Sequence, residues 1–382
     1  MNRVVMLVMF VLIAAVAGAY SFFCIRRLLE FYLKIPKKWR NLISALGAVL
    51  LLRACINLWR LPAVVSLHIL AFFLVFDLLA VFVRRIWRKH GDPARPAYRG
   101  CRILYRSGAL ALLGSALLLG YGAYNMRHIV STEYKLSTQK LTGSYHIILI
   151  TDTHYDTIQS TSLLKEKAEE ISGLHPDIVI LGGDIVEEGT SKESMQEVFR
   201  VLGGIESTYG TYYVYGNHDL QPYSGTKQYS REELEAAARA GGVRILRDES
   251  VELGGELILA GRDDAAWEGN SGRASSAEIL SGADRGKYII LVDHQPRDFE
   301  ENGAAGVDLM LSGHTHAGQV WPAGTILELL GNYNYGLYRH GSSTLIVSSG
   351  FTGWGYPLRT QANCEYVQIW IEGAGQRGNQ AD

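Results

Sequence analysis

The chain has 382 residues, with 37 Lys and Arg against 38 Asp and Glu and a formal net charge of −1. At 48% hydrophobic content it is too apolar for a disordered chain, and its near-neutral balance excludes binding of nucleic acid by bulk charge. Its four cysteines, Cys24, Cys55, Cys101 and Cys364, are too scattered to imply a disulfide framework or a thiolate metal site.

The first third of the chain consists of the apolar stretches Val4–Ile25, Asn41–Trp59, Pro62–Val83 and Ser107–Tyr124. Each is close to the ~20 residues that cross ~30 Å of hydrocarbon, which predicts an all-α membrane region with four spanning helices over residues 1–128. Basic residues crowd two connections: Arg26, Arg27, Lys34, Lys37, Lys38 and Arg40, then Arg84, Arg85, Arg88, Lys89, Arg95, Arg99, Arg102 and Arg106. The connection between them has only Arg60. By the positive-inside rule both basic connections are cytoplasmic, and everything after Tyr124 is extracytoplasmic. Ala17-Gly18-Ala19 resembles a signal-peptidase site, and cleavage there would leave three helices. Three helices entered from outside would put the domain inside only with the basic residues outside, so the charge pattern favours an uncleaved anchor. Arg53, His68 and Asp77 are costly in lipid; they are candidates for an intramembrane pair or path, or for snorkelling and bundle packing.

The remainder of the chain has a different pattern. Arg127–Gly143, rich in β-branched residues and Tyr, predicts an edge strand. Five short apolar runs then each end on polar residues that bind hard or borderline metals. They are Tyr145–Thr151 before Asp152 and His154, Asp177–Gly183 before Asp184, Thr211–Gly216 before Asn217, His218 and Asp219, Tyr288–Asp293 before His294, and Val307–Gly313 before His314 and His316. Continuous apolar runs read as strands buried on both faces, with ligands beyond their carboxyl ends. Asp152, His154, Asp184, Asn217, His294, His314 and His316 are more ligands than one ion takes, so they suit two divalent ions sharing one carboxylate. Oxygen and imidazole donors suit Mn, Fe or Zn. Paired ions of this kind clamp both oxygens of an in-line phosphoryl displacement. His218 is left over as a general acid, with Asp219 beside it to fix its tautomer. The i,i+2 spacings of Asp152 with His154 and of His314 with His316 put both side chains on one face of an extended segment. Asp293 is either a strand-end hydrogen-bond partner or a support for His294. His146, Asp263 and Asp264 read as surface or loop groups.

Helix starts are marked by Thr190 with Glu193, Ser230 with Glu233 and Ser275 with Glu278. The interval from His218 to His294 is nearly consumed by one helix and the strand candidates Val243–Leu246, Ser250–Leu253 and Leu257–Ala260. No large cap domain fits there, and access to the metals should be open.

In their order, Asp152-Thr-His154, Gly183-Asp184, Gly216-Asn217-His218-Asp219, His294 and Gly313-His314-Thr315-His316 resemble the calcineurin-like metallophosphoesterases. The resemblance implies a four-layer αββα sandwich over residues 129–372, followed by a polar tail at 373–382. It also implies one ion on Asp152, His154, Asp184 and His316, and a second on Asp184, Asn217, His294 and His314. Asp184 would bridge them, and His218 would be the catalytic histidine. Glu187 stands where many members have Asp, at a position that is not a ligand. The resemblance brings the Gly353–Arg359 loop near the metals, where Arg359 is either a partner for a substrate phosphate or part of a packed turn. Gly313–Val320 and Ser348–Arg359 look like the bacterial membrane-associated branch. The family includes UDP-diacylglucosamine pyrophosphohydrolases, which points to a phosphate ester, phosphodiester or pyrophosphate on an envelope lipid or lipid-linked precursor. The alternatives are a non-catalytic metal-binding envelope sensor, against which the full ligand set and His218 speak, and a transporter, against which the sparse polar residues in the helices speak.

Overall fold

The chain divides into two units, Met1–Tyr121 and Gly122–Asp382. The computed structural model describes residues 3–56, 60–90, 96–156, 160–265 and 272–373. The first unit is helical, with α1 (Arg3–Tyr32), α2 (Lys37–Ala54), α3 (Leu61–His90), α4 (Pro96–Ser107) and α5 (Ala109–Asn125). The division falls inside α5, later than its start and earlier than the expected boundary at residue 129.

Among the described residues one helix, over Leu61–Trp87, is long and apolar enough to cross a membrane. The α4–α5 pair, bent by 57°, is a second candidate. Side chains at the start of the expected first span lie outside the described residues, as do residues 57–59 of the second span, residues 91–95 of the basic connection and the polar tail beyond Gly373. That connection is largely helical, because α3 continues to His90 and α4 follows. The chain then turns at Gly108, where φ is +67° and a Cβ would come within 2.7 Å of Leu28 and 2.9 Å of Phe73. Only glycine fits both that backbone and that space. The polar residues within the helices also differ from expectation. Asp77 ion-pairs with Arg27 of α1 and accepts a 2.8 Å hydrogen bond from the Tyr20 hydroxyl, so Arg27 belongs to the packing of helices and not to a loop. His68 Nδ1 lies 2.7 Å from the Val64 carbonyl, one turn back in its own helix.

The second unit carries β1 (Ile129–Thr138), β2 (Ser144–Ile150), β3 (Ile178–Leu181), β4 (Thr211–Tyr213), β5 (Val243–Ile245), β6 (Glu249–Leu253), β7 (Leu257–Gly261), β8 (Tyr288–Val292), β9 (Leu309–Ser312), β10 (Gly336–His340), β11 (Ser343–Val347) and β12 (Cys364–Gly373). They form two six-stranded sheets in the orders β1-β12-β2-β3-β4-β5 and β10-β11-β9-β8-β7-β6. Pairing is parallel except for β12 with β2, β10 with β11 and β6 with β7. β1 is at the sheet edge, where its composition put it. The helices are α6 (Thr161–Ser172), α7 (Lys192–Gly203), α8 (Arg231–Ala240), α9 (Ser276–Ile279), α10 (Phe299–Ala304) and α11 (Ala323–Leu329).

Strand alternation builds the layers, since successive side chains face opposite ways and both ways are apolar. Ile147 and Leu149 of β2 share a core with Ile290, Val292, Leu309 and Leu311 of the other sheet. Ile148 and Ile150 instead pack with Leu164, Phe199 and Leu234 of α6, α7 and α8. On the far side Ile289, Leu291 and Met310 pack with Phe299 of α10. The result is helices, sheet, sheet, helices. Capping boxes close at Ser230 with Glu233 and at Ser275 with Glu278. The third expected start shifts by one residue: Ser191 caps α7, while the Thr190 hydroxyl accepts from Glu187 N at 3.0 Å and donates to the Tyr155 carbonyl at 2.8 Å.

Candidate metal centre

The segments leaving β2, β3, β8 and β9 are stitched to one another by their backbones. Asp152 N donates to the Gly183 carbonyl at 2.9 Å, His154 N to the Asp184 carbonyl at 3.1 Å, and Gly313 N to the His294 carbonyl at 2.9 Å. These segments are not extended. Asp152, His154, Asp184, His314 and His316 have φ of 55°, 39°, 51°, 71° and 49°. The side chains therefore converge through left-handed turns, and the extended-segment reason for the i,i+2 spacings does not hold. A non-glycine residue held there costs on the order of 1–3 kcal/mol and persists only where its surroundings over-determine it. Here the stitching bonds do so. Gly183 is also required: at its φ of +93° a Cβ would sit 2.6 Å from His294 Nδ1.

Two clusters result, Asp152 with His154 and His316, and Asp184 with His294 and His314, each with its ligand atoms within 4.8 Å of one another. His316 Nε2 lies 3.2 Å from His154 Nε2 and 3.5 Å from Asp152 Oδ1. Asp184 Oδ2 is 3.0 Å from His294 Nε2 and 3.9 Å from His154 Nε2, so one carboxylate reaches a histidine of each cluster. The opposite edges of these rings are occupied. His294 Nδ1 is 2.8 Å from the Gly182 carbonyl, His316 Nδ1 3.2 Å from the Thr352 carbonyl and His154 Nδ1 3.1 Å from Glu187 Oε2. At His294 and His316 the carbonyl acceptor at Nδ1 keeps the proton there and aims the Nε2 lone pair inward, the arrangement a metal-binding histidine needs.

The donor set fits two divalent cations. Asn217 Oδ1 is buried in the same region without a hydrogen-bond partner among the described residues, an orphaned acceptor that a cation would satisfy. Burial pushes the His316 and His314 imidazoles down to about 3 and about 4, so both are neutral ligands at ordinary pH. For Asp184, burial raises the carboxyl but His294 beside it prevails and holds it well below the usual range.

The expectations for Asp219 and Arg359 are corrected. Asp219 does not orient His218: its oxygens accept the backbone N–H groups of Asp184 at 2.9 Å, Val186 at 3.0 Å and Gly216 at 2.6 Å. It is the peg on which the two loops carrying Asp184 and Asn217 hang. The His218 ring is held instead by Glu188, whose Oε2 lies 2.7 Å from Nδ1. Arg359 is no surface ligand for phosphate, since it is fully buried and donates to the carbonyls of Asn363 at 3.0 Å, Ser349 at 2.8 Å and Thr352 at 2.7 Å. Of the two readings of Asp293 the strand-end hydrogen bond holds: its carboxylate accepts from Arg262, directly after β7, at 3.3 Å, and pairs with Arg273.

Sequence reasoning also missed three buried groups. Asp264 is fully buried and accepts both 3.0 Å contacts from Gln295 Nε2, next to His294. Asp263 is buried against Arg247 at 2.7 Å. His146 is stacked on Trp370 at 3.8 Å. Glu187 and Glu188 were the available signal at the metal centre, two carboxylates following the Gly-Asp motif by three and four residues. His218 itself is largely buried, with Tyr223 and Trp354 each 5.2 Å from its ring.

Comparison with known proteins agrees with this geometry. The model of the calcineurin-like phosphoesterase family matches residues 145–318. An Aquifex aeolicus protein described as an uncharacterized metallophosphoesterase is 31% identical over 267 residues, 68% of this chain and 98% of that one. A Helicobacter pylori protein with the same description is 34% identical over 239 residues, 62% of each chain, so the chain spans less than two thirds of that relative's length. A Danio rerio protein described as a transmembrane protein with metallophosphoesterase domain is 29% identical over 286 residues, 71% of this chain and 64% of that one.

Proposed function

The chain belongs to the calcineurin-like metallophosphoesterase family, and from that premise we propose that it is a membrane-anchored, two-metal phosphoesterase acting on a lipid or lipid-linked phosphate ester, phosphodiester or pyrophosphate. The observation that carries the reading is Asp184, whose one carboxylate reaches His294 at 3.0 Å and His154 at 3.9 Å. Asp152, His154 and His316 would hold one ion, Asn217, His294 and His314 the other, and Asp184 would be shared. Two divalent cations bound there supply Lewis acidity toward the attacking water and the phosphoryl oxygens. The rest is the chain's own work. Glu188 holds the proton on His218 Nδ1, and the imidazolium donates its Nε2 proton to the departing oxygen. Asp184 Oδ1 accepts the His218 backbone N–H at 2.8 Å, which keeps that histidine in step with the shared carboxylate.

An amphiphilic substrate is supported by the surface beside the site. α11 exposes Ile326, Leu327 and Leu329, with Trp321 before it and Leu330 after it. Its backbone presses on the turn that carries His316, where a Cβ on Gly318 would meet Gly324 N at 2.2 Å. An exposed apolar patch of this kind marks a surface that meets lipid or another apolar partner. The anchor is the helical N-terminal region, read as four spans, with the basic connections cytoplasmic and the phosphoesterase unit extracytoplasmic.

The test is hydrolysis by the purified full chain with Mn, comparing aryl phosphomonoesters, aryl phosphodiesters and a long-chain phosphoester in mixed micelles. Chelator-sensitive turnover, fastest on the micellar substrate, is expected. Turnover that survives chelation would sink the two-metal reading, and equal rates with and without acyl chains would sink the lipid one.

A further inference from the structure

A second concave feature lies in the N-terminal helical unit. It is a cavity of about 930 Å³ between α1, α3, α4 and α5. That is near the top of the ~300–1,000 Å³ range of small-molecule sites. Its wall is apolar, from residues such as Leu79 and Leu110, and among the described residues its charged lining is Arg27, Arg84 and Arg102.

The three arginines are not equivalent. Arg27 is neutralised by Asp77. Its guanidinium and that of Arg84 lie over the same Tyr105 ring, at 4.6 Å and 4.9 Å from its centroid. A cation–π contact orients a guanidinium without cancelling its charge or occupying its in-plane N–H donors. Arg84 is thus presented to the cavity as a charge, and Arg102 faces the same space from α4. Such a site suits an anion that carries an apolar body. Paired guanidiniums match phosphate oxygens, the apolar wall matches acyl chain, and basic residues flanking a membrane-length helix are where anionic headgroups are recognised.

We propose that this cavity binds one anionic phospholipid, its phosphate held by Arg84 and Arg102 and its chains against the wall that includes Leu79 and Leu110. The site is separate from the metal centre. It rests on the membrane placement of these helices and not on catalysis, so a chain that binds the lipid and hydrolyses nothing leaves it standing.

The test is native mass spectrometry of the chelator-treated full chain in neutral detergent, titrated with phosphatidylglycerol, phosphatidylcholine or inorganic phosphate. One phosphatidylglycerol per chain is expected, retained in preference to phosphatidylcholine and not displaced by equimolar inorganic phosphate. Arg84→Gln with Arg102→Gln should weaken it about 30-fold, taking each charge near lipid at about a factor of five. Arg84→Lys with Arg102→Lys should keep most of the affinity. Leu110→Trp, which fills the cavity and leaves the charges, should weaken it as well, so the result does not depend on the glutamine variant folding. Equal retention of the two lipids, insensitivity to both the glutamine pair and Leu110→Trp, or displacement by inorganic phosphate would overturn the proposal. Loss of binding in His294→Ala would do so too, by moving the lipid to the metal centre.

Discussion

Arg359 and His316 meet on one oxygen atom, the Thr352 carbonyl, which accepts from Arg359 Nη2 at 2.7 Å and faces His316 Nδ1 at 3.2 Å. The guanidinium pins that carbonyl and the Ser349 carbonyl at 2.8 Å, and the pinned carbonyl sets the tautomer and tilt of the imidazole. A fully buried arginine in this position acts on the metal ligand and not on substrate.

Arg359→Lys is therefore expected to weaken retention of one ion about 10–100-fold, the usual effect of removing a group that orients a ligand. Lysine keeps the charge but cannot bridge several carbonyls with a planar fork. At saturating metal, KM should stay close to the parent value. Metal titration together with KM checks this, and a raised KM with unchanged metal affinity would return Arg359 to the substrate.

Asp184→Ala is expected to remove both ions, because its carboxylate reaches histidines of both clusters and its loss leaves two cations facing each other without a shared anion. Metal analysis of the parent should find close to two ions per chain. Retention of one ion in the variant would make Asp184 a ligand of a single site.

The strand-end motifs were legible because the chemistry constrains both residue type and place: a metal centre between two sheets needs carboxylates, amides and imidazoles where apolar strands stop. The partners of those ligands were not legible. Asp219 follows His218 directly and looks like its partner, yet neighbours in a tight turn point apart, and its carboxylate is taken by three backbone amides. Glu188 lies far from His218 in sequence and meets it only because that same peg draws the two loops together. Arg359 carried a charge that suggested phosphate, and nothing local in the sequence distinguishes an arginine that will be buried on carbonyls. The helices were legible as apolar lengths. The break at Gly108 was not, because it depends on how helices pack.

Glu188 sets the proton affinity of His218. Burial alone would lower the imidazole, but the Glu188 hydrogen bond and the Asp184 charge prevail and bring it up to about 9 in the metal-free protein. A histidine raised above its ordinary 6.5 adds stability that is fully present below pH 6.5 and is lost as pH rises through about 9. Glu188→Gln should lower the His218 titration seen by NMR of the metal-free protein and flatten the stability profile across that window. An unmoved titration would mean that the carboxylate is not its partner.

The proposed orientation of the chain rests on its basic connections. Thr226 is exposed on the phosphoesterase unit, and Cys101 is exposed on α4 within the basic segment. In intact cells a membrane-impermeant thiol reagent should label Thr226→Cys and leave Cys101 unlabelled until the cells are opened. The reverse pattern would put the metal centre in the cytoplasm and remove extracytoplasmic lipids from its reach.

His218 separates chemistry from scaffold. It follows Asn217 in the chain, but its Nδ1 is held by Glu188, and it belongs to neither three-residue cluster. Its ring is largely buried beside Tyr223 and Trp354. His218→Asn should keep near-parental metal content and lose turnover by roughly 10²–10⁴-fold on an ester with a poor leaving group, the usual size of general-acid catalysis. The loss should shrink on a nitrophenyl ester, whose departing oxygen needs little protonation. Metal analysis and paired rates on the two esters check this. Loss of metal would make His218 a ligand, and an equal loss on both esters would move its role from proton donation to binding of the phosphoryl group.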